Sequence, residues 1–198
     1  MVRVLAVADE TSESVHSARV RDLRPDVVLS AGDLPWDYLE GLVDDLGVPA
    51  AFVPGNHEPG VGSAPRGMID LDGRAGSVGG LRVAGLGGCV HYNGGTHQYT
   101  QEEYADRAEQ LLAAGSEPVD VLLTHAPPFG LGDEPEDPAH VGIAALHDLI
   151  EVLRPQWHLH GHIHPYGLQK PDRQLGATTI RNVIPWQIVD VDPYEGAS

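Results

Sequence analysis

Short apolar runs that each end on a polar or metal-ligating residue constrain this chain more than any other feature. VRVLAVA (2–8) runs into Asp9, DVVLSAGD (26–33) ends on Gly32-Asp33, and PAAFVPGNHE (49–58) ends on Gly55-Asn56-His57-Glu58. Such β-branched, near-continuous runs predict strands buried on both faces. SESVHSARVRDL (12–23) has apolar residues at helical spacing, and PWDYLEGLVDDLG (35–47) opens with proline and closes with glycine, the punctuation of a helix. Strand, helix, strand, helix, strand predicts a right-handed parallel βαβαβ start.

The pattern continues downstream. LRVAGLGG (81–88) predicts a strand, and TQEEYADRAEQLLAAG (100–115) a helix with Thr100 and Glu103 spaced as a capping box. VDVLLTHAPP (119–128) reads as a buried strand carrying His125, HVGIAALHDLIEVL (140–153) as a helix, and QWHLHGH (156–162) as a strand leaving into Gly161-His162-Ile163-His164. TTIRNVI (178–184) and WQIVDV (186–191) predict a closing hairpin or pair of strands, and 59–80 reads mostly as loop. A chain of 198 residues fits one domain, 1–198, with one sizeable core.

Charge narrows the partners. The net charge of −17 repels the phosphate backbone of long nucleic acids, which leaves a local cation site open but not a broad basic footprint. Cys89 is the only cysteine, so an intramolecular disulfide and a cysteine-based zinc cluster are both excluded. The apolar run in MVRVLAVADE is too short for a signal peptide, and no run reaches the length of a membrane span. The expectation is a cytoplasmic protein without a membrane partner.

In an open α/β sheet the carboxyl ends of the strands converge on one edge, where ligands bind. That edge would collect Asp9, Asp33, Asn56, His125, His162 and His164. Oxygen donors mixed with imidazoles suit manganese, iron or zinc rather than calcium. Gly32, Gly55 and Gly161 each precede a candidate ligand, where the backbone is expected to turn sharply. Singly, each signal is bland: an aspartate after a strand is usually a turn or cap residue, and a histidine in an apolar strand is usually packed core. His158 and His160 lie within such a strand and read as buried structural histidines. The ordered combination carries the argument. Neither a G-x-S-x-G elbow nor a G-x-x-x-x-G-K-[ST] phosphate loop occurs.

That combination resembles the calcineurin-like metallophosphoesterases, whose pattern runs D-x-H, G-D, G-N-H-[DE], H, G-H-x-H. Here it reads Asp9, Gly32-Asp33, Gly55-Asn56-His57-Glu58, His125 and Gly161-His162-Ile163-His164, across residues 2 to 190. The resemblance implies a four-layer α/β/β/α sandwich with two mixed sheets. It implies two adjacent divalent metals, manganese, iron or zinc. Asp33 would bridge them, Asn56, His125 and His162 would complete one site, and Asp9 and His164 would belong to the other. His57 would sit near the leaving group as general acid or transition-state stabiliser. The implied reaction is hydrolysis of a phosphoric ester of a small molecule, monoester or diester, by a metal-activated hydroxide.

The first motif departs from that pattern. Asp9 is followed by Glu10 and Thr11, where histidine is expected at position 11, and threonine is a poor transition-metal ligand. Three readings stay open: Glu10 or a water takes the place, only the site of Asp33, Asn56, His125 and His162 fills tightly, or His16 swings in from the following helix. Strand alternation points Glu10 away from Asp9, although the loop that follows leaves room to bend it back. The departure also supports an alternative function, a weakly active or non-catalytic metal- or ligand-binding protein on the same fold. The loops 59–80, 87–99 and 127–140 would shape the substrate site. They offer His91, Asn93 and Arg66 as substrate contacts, although Arg66 could equally pair with Asp70, and they place His140 at the start of a helix.

Overall fold

Two sheets lie face to face in the computed structural model, which describes residues 1–58, 64–168 and 170–194. The first is built from β1 (Val2–Val7), β2 (Val27–Ser30), β3 (Ala50–Phe52), β4 (Met68–Asp70) and β13 (Trp186–Val191), in the order β13-β1-β2-β3-β4. Its strands run parallel except β13, which pairs antiparallel with β1. The second holds β5 (Arg74–Val78), β6 (Leu81–Leu86), β9 (Val121–Thr124), β10 (Trp157–His160), β11 (Arg173–Leu175) and β12 (Thr178–Asn182), in the order β11-β12-β10-β9-β6-β5. Its four central strands are parallel, and β11 and β5 are antiparallel edges. A separate two-stranded ribbon joins β7 (Cys89–Val90) to β8 (Gln98–Tyr99).

Three apolar clusters account for the layering. Val4, Ala6, Leu29, Val53, Val83, Leu123 and Leu159, with neighbours from both sheets, fill the space between them. The opposite face of the first sheet contributes Leu5, Val7 and Val28, covered by Leu39 and Leu42 of α2 (Trp36–Leu46). The outer face of the second contributes Ala84 and Leu122. They are covered by Tyr104 and Leu111 of α3 (Gln101–Ala114) and by Leu146, Leu149 and Ile150 of α4 (Leu146–Leu153). Alternate residues of one strand therefore feed different cores, which is why the strand sequences are apolar throughout. The result is the expected α/β/β/α sandwich with two mixed sheets.

Local chemistry sets several boundaries. Thr100 Oγ1 accepts from the Glu103 N–H and Glu103 Oε2 accepts from the Thr100 N–H, completing the anticipated capping box. Gly47 ends α2 at φ 63°, its N–H donating to Val43 O.

Three expectations need correction, and one pair of alternatives is decided. Segment 12–23 is not one helix: a 3-10 turn over Glu13–His16 is followed by α1 (Ala18–Asp22), and extended Ser17 interrupts them. Residues 59–63 of the segment 59–80 lie outside the described residues, and the rest is less loop-like than expected, because β4 and β5 lie in it, each held by a neighbouring strand. The helix of 140–153 begins only at Leu146, and His140 belongs to a 3-10 turn over Pro138–His140. Segments 178–184 and 186–191 are strands but not a hairpin. Buried Val183 and Ile184 carry the chain from the second sheet to the first, and the hairpin is instead β11 with β12.

Candidate metal centre

The parallel strands end on one edge, and their terminal residues meet there. One ligand atom each from Asp9, Asp33 and His125 lie within 4.8 Å of one another. Asp9 follows β1, Asp33 follows β2 and His125 follows β9, so three separated segments supply the cluster.

The chain reaches this geometry through strained turns on the candidate ligands themselves. Asp9, Asp33 and His162 have φ of 60°, 57° and 66°, the left-handed region that few non-glycine residues adopt. At Asp9 and His162 the turn spans three residues: Glu10 N–H donates to Ala8 O, and Ile163 N–H donates to Gly161 O. This revises the reading of two glycines. Gly55 and Gly161 are needed for close approach rather than for a turn. A Cβ on Gly55 would lie 2.0 Å from Asp33 Oδ1, and one on Gly161 would lie 2.1 Å from Asp9 Oδ2.

Backbone donors fix both carboxylates. The His162 N–H donates to Asp9 Oδ1 and Oδ2 at 3.1 and 2.9 Å, and the His57 N–H donates to Asp33 Oδ1 at 2.8 Å. The Asp33 N–H donates to Glu58 Oε1 at 2.6 Å, while Glu58 Oε2 is buried without a partner. Burial pushes the Asp9 pKa up to about 6, against the pull of His125. Burial also works against ionised Asp33, but His125 and the His57 N–H outweigh it and hold its pKa below the ordinary carboxylate range. Burial, then the neighbouring Asp33, carries Glu58 up to about 7.

The histidines are arranged as nitrogen donors. A carbonyl or carboxylate oxygen only accepts, so the ring nitrogen facing it must carry the proton, and the other nitrogen of a neutral ring keeps its lone pair. His125 Nδ1 donates to Ala31 O at 2.7 Å, and its Nε2 faces Asp33 Oδ2 at 3.3 Å and Asn56 Oδ1 at 3.1 Å, so without a metal this ring carries a proton on both nitrogens and Nε2 is the position a metal would take. His162 Nε2 donates to Ala139 O at 2.8 Å, leaving Nδ1; its ring lies edge-on to His125, with centroids 4.8 Å apart. His164 Nδ1 donates to Glu10 Oε1 at 2.9 Å, leaving Nε2 on the side of Asp9 Oδ1, 4.0 Å away. Buried carboxylates, the buried amide of Asn56 and three imidazoles that each anchor one N–H on an oxygen outside the cluster fit a divalent transition metal.

Other residues named from the sequence separate cleanly. His57 is near the cluster but largely exposed, its Nε2 3.9 Å from Asp33 Oδ2. His158 is buried and directs Nε2 to Thr124 Oγ1 at 2.7 Å, and buried His160 directs Nδ1 to Gly161 O, so neither joins the cluster. His16 is held by Asp45 at 2.9 Å and packs on Tyr38, so its ring is engaged elsewhere and does not replace the histidine missing at position 11. Arg66 pairs with Glu40 at 2.8 Å rather than with Asp70. Asn93 Oδ1 closes its own loop by accepting from Gln98 Nε2 and the Gly95 N–H, and the exposed His91 ring makes no hydrogen bond or ion pair among the described residues. Arg66 and Asn93 are thus engaged by partners outside the cluster.

Sequence reasoning missed three contributors. His140 packs against His162, centroids 5.2 Å apart, and is itself held by Asp137. Tyr92 Oη accepts from Asn56 Nδ2 at 3.3 Å, orienting the amide. The Ala139 carbonyl has no side-chain signature to find. A cavity of about 640 Å³ lies at the opposite edge, where Gln156 precedes β10 and Thr178 begins β12. A smaller one of about 300 Å³ adjoins the centre, lined by Asp33, Leu34, Pro35, Trp36, His57 and Glu58.

Comparison with known proteins agrees with this geometry. Residues 7–166 match the model of the calcineurin-like phosphoesterase family. A 55-residue stretch, 27% of this chain, is 46% identical to the UPF0046 protein T07D4.2 of Caenorhabditis elegans, and it spans only 13% of that longer protein. The crystal structure of TT1561 of Thermus thermophilus superposes with a TM-score of 0.61 at 16% identity, covering 91% of this chain and 88% of the other. GAP50, the anchor in the inner membrane complex of Plasmodium, superposes with a TM-score of 0.50 at 12% identity, covering 90% and 70%. At such identities the structures speak for the fold alone, and the family match over most of the chain decides membership: the chain belongs to the calcineurin-like phosphoesterases.

Proposed function

We propose that this chain hydrolyses a phosphoric ester of a small molecule with divalent transition metals held at the Asp9–Asp33–His125 cluster. The observation that carries the reading is the approach of those three donor atoms to within 4.8 Å of one another. Manganese, iron or zinc would supply Lewis-acid polarisation of the phosphoryl oxygens and acidify a water.

The side chains then have distinct tasks. Asp33 would bridge two ions, with Asn56, His125 and His162 around one and Asp9 and His164 around the other. Backbone amide and carbonyl contacts hold Asp9, Asp33, His125 and His162 in place, so little reorganisation of these donors is needed when substrate arrives. His57 is exposed beside Asp33, where its Nε2 can give a proton to the departing oxygen. The adjoining cavity of about 300 Å³ suits a small leaving group. The net charge of −17 disfavours long nucleic acids as substrates. No helix among the described residues is long and apolar enough to cross a membrane.

The test is hydrolysis of an aryl phosphomonoester and an aryl phosphodiester with manganese, iron or zinc, beside an Asp33→Asn control. Metal-dependent turnover lost in Asp33→Asn supports the reading; no turnover, or an unaffected control, overturns it. Exposed Thr11 favours a second reading, a binding protein on the same fold. Ligand and metal binding without turnover of either ester would support that one.

A further inference from the structure

Position 10 departs from strand alternation. After β1, continued alternation would send the Glu10 side chain away from Asp9. The three-residue turn at Asp9, with Glu10 N–H donating to Ala8 O and Asp9 at φ 60°, swings the chain round instead. Glu10 Oε1 thereby reaches His164 Nδ1 at 2.9 Å, across 154 residues of sequence. Both side chains are partly exposed, 47% for Glu10 and 39% for His164, so neither is fixed by packing. No other hydrogen bond is made by the His164 ring or the Glu10 carboxylate among the described residues.

The chemistry of the pair is directional. A carboxylate accepts, so it selects the tautomer with the proton on Nδ1 and leaves the lone pair on Nε2. That nitrogen is the one on the side of Asp9 Oδ1. A half-exposed imidazole without such a partner would lose rotamer freedom on binding a metal, and that loss opposes binding. Position 11 supplies threonine, so His164 is the imidazole that remains beside Asp9.

We propose that Glu10 is a positioning residue for His164, holding its proton on Nδ1 and keeping Nε2 as the nitrogen donor of the second metal site beside Asp9. The proposal rests on the two-metal reading given above. Glu10 acts through the ring and is not itself a ligand.

The conservative variant separates these roles. In Glu10→Gln the amide oxygen still accepts from Nδ1, whereas a neutral amide is a poor substitute for a ligating carboxylate. Glu10→Ala removes both functions. Manganese titration of the metal-free full chain, followed by electron paramagnetic resonance, gives the two dissociation constants. Nitrogen-15 shifts of His164 in the metal-free protein at pH 8.5 give its tautomer.

Glu10→Ala is expected to weaken the second ion about 10–100-fold, leave the first unchanged, and yield mixed tautomers. Glu10→Gln is expected to stay within about threefold of the parent, judged against that same range, with Nδ1–H retained. A Glu10→Gln loss as large as that of Glu10→Ala, or a Glu10→Ala variant that matches the parent, overturns the proposal. So does a parent chain that shows the Nδ1–H tautomer yet takes up one ion, since a positioned His164 would then bind nothing. A parent chain that takes up no ion overturns the metallophosphoesterase reading itself.

Discussion

The backbone N–H of His162 donates to both carboxylate oxygens of Asp9, at 3.1 and 2.9 Å, and ties the end of β1 to the end of β10 across 153 residues. This link depends on the absence of a side chain at Gly161, where a Cβ would meet Asp9 Oδ2 at 2.1 Å and Ala8 Cβ at 2.7 Å. Both obstacles belong to well-held parts of the fold. Gly161→Ala is therefore expected to cost about 1–3 kcal/mol, or roughly 2–4 °C in Tm per kcal/mol at this length, and to lower metal content as well. Calorimetry with metal analysis checks it; an unchanged Tm with full metal would refute the close-approach argument.

Metal uptake should release protons. Burial favours a neutral His125, but Asp33, Asp9 and Glu58 outweigh it and carry the metal-free pKa up to about 10. A metal at Nε2 must displace the proton held there. Titration calorimetry at pH 7 in buffers of different ionisation enthalpy should show about one proton released per first metal bound, with affinity rising as pH increases. Affinity that is flat from about pH 6 to 9 would contradict the assignment of His125.

The same shift sets a stability window for the metal-free chain. A folded pKa above the unfolded value stabilises the fold fully below about 6.5, and that contribution is lost as pH rises through about 10. Metal-free protein should lose Tm between those limits relative to metal-loaded protein, and His125→Gln should flatten the difference. Parallel Tm curves for the two forms would count against it.

His160 acts in the opposite direction. Burial, then the neighbouring His125, lowers its pKa to about 4, so the unfolded chain takes up its proton first as pH falls. Its depressed pKa destabilises the fold progressively from about 6.5 down to about 4. Chemical denaturation of the parent and of His160→Gln across this range should show the parent losing ground to the variant as pH drops. A difference that does not change with pH would mean the ring is not buried as described.

Much of the candidate centre is legible in the sequence because each candidate ligand follows an apolar strand, and strand ends converge in this class of sheet. Asp9, Asp33, Asn56, His125, His162 and His164 all lie at the predicted edge, and the four layers follow from strands that are apolar on both faces. What escapes depends on contacts that sequence does not encode locally. β4 and β5 are short, contain Asp70 and Gly76, and exist through pairing with β3 and β6. Ala139 contributes only a carbonyl. Alternation points Glu10 away only when it is extended beyond β1, past the turn at Asp9. Arg66 looks available for phosphate in the sequence because Glu40, its partner at 2.8 Å, lies on α2, 26 residues earlier.

The most direct test of the whole account is the number of metal ions per chain, measured by elemental mass spectrometry on protein grown with mixed transition metals and desalted without chelator. The expected result is close to two per chain, falling below one in Asp33→Asn, since Asp33 is placed between both ions. A parent chain that retains no metal, or an Asp33→Asn variant that retains as much as the parent, would contradict the central claim.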